Sequence, residues 1–149
     1  QVSVAAATRL CGRLVETHGR PVPGVGALGL THLFPSPATL AAADLTAVGL
    51  PRARAEAVRG LAEAVASGRL VLTAGRGLDD TVATLRALRG FGEWTAHYVA
   101  MRACGERDAF CASDLGVRRA LGPAGASRAE AWRPWRAYGA LHLWCAPAA

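Results

Sequence analysis

Lysine, isoleucine and asparagine are absent from this 149-residue chain, and glutamine occurs only as Gln1. Without lysine, no side-chain amine is available for Schiff-base chemistry. All seventeen basic side chains are therefore arginine. Cysteine is sparse: Cys11, Cys104, Cys111 and Cys145 form no CxxC pair, which excludes the usual zinc and dithiol spacings. Cys104 and Cys111 have no further cysteines at cluster spacing, which argues against an iron–sulfur site. His18, His32, His97 and His142 include no pair at metal-ligand spacing beside a carboxylate, so packing or solvation is expected of them. Scattered thiols without a signal peptide predict a reducing cytosol and inert packing roles. No apolar run has the ~20 residues of a membrane span, and the chain is expected to be soluble.

What is present is alanine, arginine and positive charge. The net charge of +6 and pI near 10.1 favour a polyanionic partner, although a GC-rich genome would also enrich both residues. The length fits one domain, residues 1–149, with a sizeable core.

Periodicity predicts an all-α chain of short helices. Gln1–Thr17 reads as an amphipathic helix with Val4, Ala7, Leu10, Cys11, Leu14 and Val15 on one stripe. It begins without a convincing cap, as though upstream helices were missing, and ends near Gly19. Residues 20–37, broken by prolines and glycines, read as loop. Ser36 and Pro37 open a short helix, Arg52–Ser67 forms a longer one stopped by Gly68, and "RLVLTAG" is extended. Asp79 or Asp80 is the expected cap of the next helix, which buries Val82, Leu85 and Leu88. Trp94–Cys104 is helical, and Asp114 stands at a cap position before "LGVRRAL". A final long helix is predicted over Arg128–Trp144, with Trp132 and Trp135 expected in the core.

Between two of these helices lies "LRGFGEWTAHYVAM", Leu88–Met101. Gly90 and Gly92 permit positive φ and leave the bend without side chains, so about 82–104 reads as a helix–hairpin–helix. Bare amides at the start of the second helix could hold a phosphate, aided by the helix dipole. A tight turn that needs glycine only for packing explains the same residues.

"LRGFGEWTA", Asp114 twenty residues after Trp94, and "RPWRAYGALHLW" follow one another along the chain. Together with "QVSVAAATRL" and "PRARAEAVRGLAEAV", this order resembles the helix–hairpin–helix (HhH-GPD) DNA glycosylase superfamily, in its bacterial 3-methyladenine DNA glycosylase II branch. The resemblance covers nearly the whole chain. It implies an all-α glycosylase core lacking upstream helices, and base-excision repair by monofunctional hydrolysis of alkylated purines, such as 3-methyladenine and 7-methylguanine, in duplex DNA.

The resemblance also assigns roles. Asp114 becomes the catalytic carboxylate, which would stabilise positive charge growing on the sugar; capping its helix is a second, compatible role. Trp94, Tyr98 and Trp144 become the pocket for an extruded base, where electron-rich rings would favour a cationic purine. Gly90, Gly92, Glu93 and Thr95 become DNA contacts, and Gln1 falls near the residue that fills the gap in the duplex. The carbonyls of Arg86, Leu88 and Phe91 match a sodium or potassium site. Trp94 stands where bifunctional relatives keep a lysine, which implies no strand cleavage. Leu115 replaces an aromatic side chain of the best-known relatives and leaves base preference open. Arg118 and Arg119 either approach phosphates or face water. The expected partner is double-stranded DNA containing alkylated bases, bound by a monomer in the cytoplasm at the bacterial nucleoid, without membrane or iron–sulfur cluster. A non-catalytic DNA-binding module, or a monofunctional glycosylase for another damaged base, would share most of these features.

Overall fold

The computed structural model describes residues 3–24 and 26–145. They form eight helices: α1 Val4–His18, α2 Pro37–Ala42, α3 Arg52–Ala66, α4 Leu78–Arg86, α5 Glu93–Ala103, α6 Leu115–Leu121, α7 Gly125–Glu130 and α8 Arg136–Cys145. The backbone divides into two compact units, Gln1–Val71 and Leu72–Ala149.

In the first unit, Leu14, Leu40, Leu45, Val48, Ala55 and Ala62 form the core. Contrary to the expectation of an uncapped start, α1 has a cap: the Ser3 hydroxyl accepts the Ala6 amide at 3.2 Å. Its predicted stripe is only partly used, since Leu14 is buried while Val4 and Cys11 are exposed. The presumed loop contains a minimal antiparallel pair, β1 (Arg20–Pro21) and β2 (His32–Leu33). Gly19 permits this return, because a Cβ there would lie 2.3 Å from the Val15 carbonyl and 2.5 Å from that of Leu33. Ser36 caps α2 by accepting the Thr39 amide, with Pro37 in the first turn. The small buried faces of Ala55 and Ala62 let α3 pack closely on α2.

The second unit carries the hairpin. Its core joins Ala100, Met101, Ala109, Phe110, Cys111 and Val117 to Ala129, Ala137 and Ala140. Gly77, at φ 90°, precedes α4, so Asp79 and Asp80 are not its cap. They occupy the first turn instead, where their charge still favours the helix N-terminus. Leu85 is buried, with Val82 and Leu88 half-buried.

The long helix expected over 128–144 is two helices. Pro134 lies between α7 and α8; it has no amide to donate, and its ring clashes with the preceding turn of a helix. Trp132 packs on the core, edge-on to Phe110 with centroids 6.3 Å apart. Trp135, also expected in the core, is 48% exposed. Gly139 makes room for Trp132, whose Cε3 would lie 2.5 Å from a Cβ at that position.

Candidate functional site

The turn after α4 needs its two glycines for different reasons. Gly90 sits at φ 86°, a conformation that favours glycine. Gly92 has an ordinary φ of −82°, and a Cβ there would meet nothing within 4 Å. Neither backbone strain nor packing accounts for Gly92. Its missing side chain leaves the start of α5 open, where no side chain caps the helix. The amides of Gly92, Glu93, Trp94 and Thr95 belong to the turn whose N–H groups have no intrahelical acceptor. Gly90, Gly92, Glu93 and Trp94 are exposed, and Thr95 is half-buried.

One turn of α5 places Trp94 and Tyr98 on the same face, their rings stacked at 5.1 Å and 11°. They are 39% and 36% exposed. Trp144, near the end of α8, tilts against Tyr98 at 6.0 Å. Rings from two helices distant in sequence thus meet.

Asp114 joins them. Its Oδ1 accepts the Val117 amide at 3.1 Å, which caps α6, and the Trp144 Nε1–H at 2.9 Å. Its Oδ2 accepts the Trp94 Nε1–H at 3.1 Å. The carboxylate is therefore held by two indoles and a backbone amide rather than by a guanidinium. Burial works against its charge, but the Trp144 indole, the Val117 amide, the Trp94 indole and the Gly116 amide outweigh it and hold the carboxyl below its ordinary value. Gly116 makes the approach possible, since a Cβ would lie 3.1 Å from Asp114 Oδ1 and 3.4 Å from Trp144 Cδ1.

The loop leading to Asp114 is fastened along its length, which the sequence did not reveal. The Glu106 amide donates to the Ala100 carbonyl at 3.0 Å. The Arg107 carbonyl accepts the Ala137 amide, and its guanidinium lies 4.9 Å from the Trp135 ring centroid. Asp108 receives both Arg133 and Arg136, which also reach Glu130. The arginines of "RPWR" therefore serve the scaffold. His97 Nδ1 accepts the Phe110 amide at 3.3 Å, so that nitrogen is unprotonated; burial pushes its pKa down. The buried Cys111 thiol reaches the Trp94 carbonyl, and burial, reinforced by the Asp114 charge, pushes its pKa up to about 12. That thiol is no nucleophile.

A recess of about 100 Å³ lies between Trp94, His97, Phe110 and Ser113, room for a few waters rather than a purine. A wider groove of about 580 Å³ runs along the outer face of α8, past Trp132, Trp135 and Tyr138. Its lining holds no carboxylate. Leu115 is 55% exposed beside the carboxylate, and Arg118 and Arg119 are exposed on α6. Gln1 lies outside the described residues. Among these, no group of three or more His, Cys, Asp and Glu could hold a metal, and no helix is long and apolar enough to cross a membrane.

Residues 1–133 match a family described as the HhH-GPD superfamily base excision DNA repair protein. A Mycobacterium tuberculosis protein named "Probable bifunctional transcriptional activator/DNA repair enzyme AlkA" is 44% identical over 97% of this chain and 30% of its own length. The Escherichia coli (strain K12) protein named DNA-3-methyladenine glycosylase 2 is 37% identical over 96% of this chain and 52% of its own. The chain thus spans about a third to a half of these relatives. Among solved structures, the 3-methyladenine DNA-glycosylase of Archaeoglobus fulgidus superposes with a TM-score of 0.76 at 25% identity, over 96% of this chain and 52% of that one.

Proposed function

The chain belongs to the HhH-GPD superfamily of base excision DNA repair proteins, and on that premise we propose that it carries the catalytic core of a monofunctional glycosylase for alkylated purines in duplex DNA. The observation that carries this reading is the Asp114 carboxylate, kept ionised by two indole N–H groups beside the exposed Trp94–Tyr98 stack.

The chemistry needs an anion and an aromatic surface. Duplex DNA keeps its bases stacked, so the target nucleotide must turn out, and the rings of Trp94, Tyr98 and Trp144 offer a replacement surface. A 3-methylated adenine or 7-methylated guanine is cationic, and such rings attract it. The glycosidic C1′–N bond breaks with its electron pair leaving on the base, which departs neutral. Positive charge grows on the sugar, where Asp114 stabilises it. Water oxygen then bonds C1′, and its proton passes to the carboxylate. With no lysine in this chain, no side-chain amine can divert the sugar into a Schiff base.

The amides from Gly92 to Thr95 would grip one backbone phosphate, with Gly90 shaping the turn. A sodium or potassium ion would fit the carbonyls of Arg86, Leu88 and Phe91, which are hard oxygen donors. The Leu88 carbonyl accepts the Phe91 amide at 3.1 Å, and Arg86 lies in the last turn of α4, where carbonyls lack helical donors. Bound there, the ion would add positive charge facing the phosphate. Leu115 supplies an aliphatic wall at the mouth and sets the tolerance for other damaged bases. The partner is double-stranded DNA, engaged by a monomer in the bacterial nucleoid.

The whole natural polypeptide is expected to release methylated purines from alkylated duplex, while Asp114→Asn binds that duplex and releases none. Release undiminished by this substitution would overturn the catalytic role. Tight duplex binding without release of any lesion would instead make the domain a binding module.

A further inference from the structure

The two oxygens of Asp114 are not equivalent. Oδ1 accepts the Val117 amide and the Trp144 indole, and a Cβ on Gly116 would lie 3.1 Å from it. A carboxylate oxygen has two lone pairs, so Oδ1 is filled. Among the described residues, the Trp94 indole is the one hydrogen-bond donor that reaches Oδ2, at 3.1 Å. That leaves one lone pair of Oδ2 without a donor among these residues.

We propose that Oδ2 is the working oxygen of Asp114, and that Trp94 is a positioning residue whose indole N–H aims and tempers it. This inference rests on the glycosylase reading and deepens it. Trp144 and Val117 anchor the carboxyl through Oδ1. Trp94 then fixes the plane through Oδ2, so that its remaining lone pair points where C1′ and the attacking water meet. The same N–H stabilises the anion and holds it ionised at lower pH. Trp94 thereby joins two duties: its ring face, stacked on Tyr98, remains available to a base, while its edge is committed to the acid. The Cys111 thiol, the titratable neighbour that feels the Asp114 charge, stays neutral, since burial pushes it up to about 12.

Trp94→Phe separates these duties, because it keeps an aromatic ring and removes the N–H. In the whole natural polypeptide, the substitution is expected to lower kcat for methylated-purine release about tenfold, the scale of one charge-assisted hydrogen bond. KM stays unchanged, and the acidic limb of the kcat–pH profile moves to higher pH. A ring that only stacks on the base would change KM and leave the limb in place, which would overturn the proposal.

A second measurement does not need turnover. The chain has four tryptophans, whose indole N–H signals are resolved by nitrogen-15 NMR. Those of Trp94 and Trp144 are expected to titrate together at a common midpoint below the ordinary carboxylate range, and to stop titrating in Asp114→Asn. In Trp94→Phe the Trp144 signal titrates at a higher midpoint. A Trp94 signal indifferent to Asp114→Asn, or a Trp144 midpoint unmoved by Trp94→Phe, overturns the clamp. Should no base be released by the unaltered protein, the glycosylase reading fails while the indole titration still decides the hydrogen bonds.

Discussion

Arg136 grips Asp108 at both carboxylate oxygens, Nε to Oδ1 and Nη2 to Oδ2, each at 2.8 Å. Arg136 is nearly buried, and the pair joins the first turn of α8 to the loop that ends at Asp114. A two-point contact of this kind fixes orientation as well as distance.

Removing one partner of such a pair leaves the other desolvated. Arg136→Ala is expected to destabilise the protein by about 3 kcal/mol, the usual cost of breaking a buried ion pair from one side. Arg136→Lys recovers part of the loss, because an ammonium cannot reproduce the planar fork. Urea unfolding curves give both values, and an Arg136→Ala midpoint equal to that of the unaltered protein would remove the loop anchor from the account.

His97 makes stability depend on pH. Burial lowers its folded pKa below the ordinary histidine value of 6.5, and the Phe110 amide needs Nδ1 unprotonated. As pH falls below 6.5, the unfolded chain takes up a proton that the folded chain resists, so stability declines until the folded pKa is passed. His97→Asn offers an amide oxygen in place of Nδ1 and does not titrate. Thermal midpoints measured between about pH 5 and pH 7 should slope for the native protein and flatten for this variant.

Gly90 and Gly92 should respond differently to alanine. Gly90→Ala must hold a positive φ, at a cost of about 1–2 kcal/mol. Gly92→Ala meets open space and should cost less than about 1 kcal/mol at this cap position. Its methyl group nevertheless obstructs the bare amides, and duplex binding should weaken several-fold in fluorescence anisotropy titrations. Unchanged binding by a stably folded Gly92→Ala would remove the phosphate role from the hairpin.

Much of this architecture is written in short-range signals. Ser36–Pro37 opens α2, and Asp114 caps α6, because a cap is settled within three residues. The all-helical character follows from apolar spacing over single helices. Where two local signals compete, reading the pattern fails. The apolar period across 128–144 continues through Pro134, but the backbone cannot, and the Trp135 ring consequently faces solvent instead of core. Asp79 and Asp80 look like caps, yet α4 begins one residue earlier, at Leu78.

The sequence by itself therefore determined the helices, the glycine turn and the presence of one capping aspartate, since each depends on residues a few positions apart. Only the tertiary structure decided that two indoles, 20 and 30 residues from Asp114 along the chain, would turn their N–H edges on its carboxylate. It also decided that Asp108 would meet Arg136 across 28 residues. Contacts at that separation leave no periodic trace, because their partners are selected by how the helices pack and not by any local backbone preference.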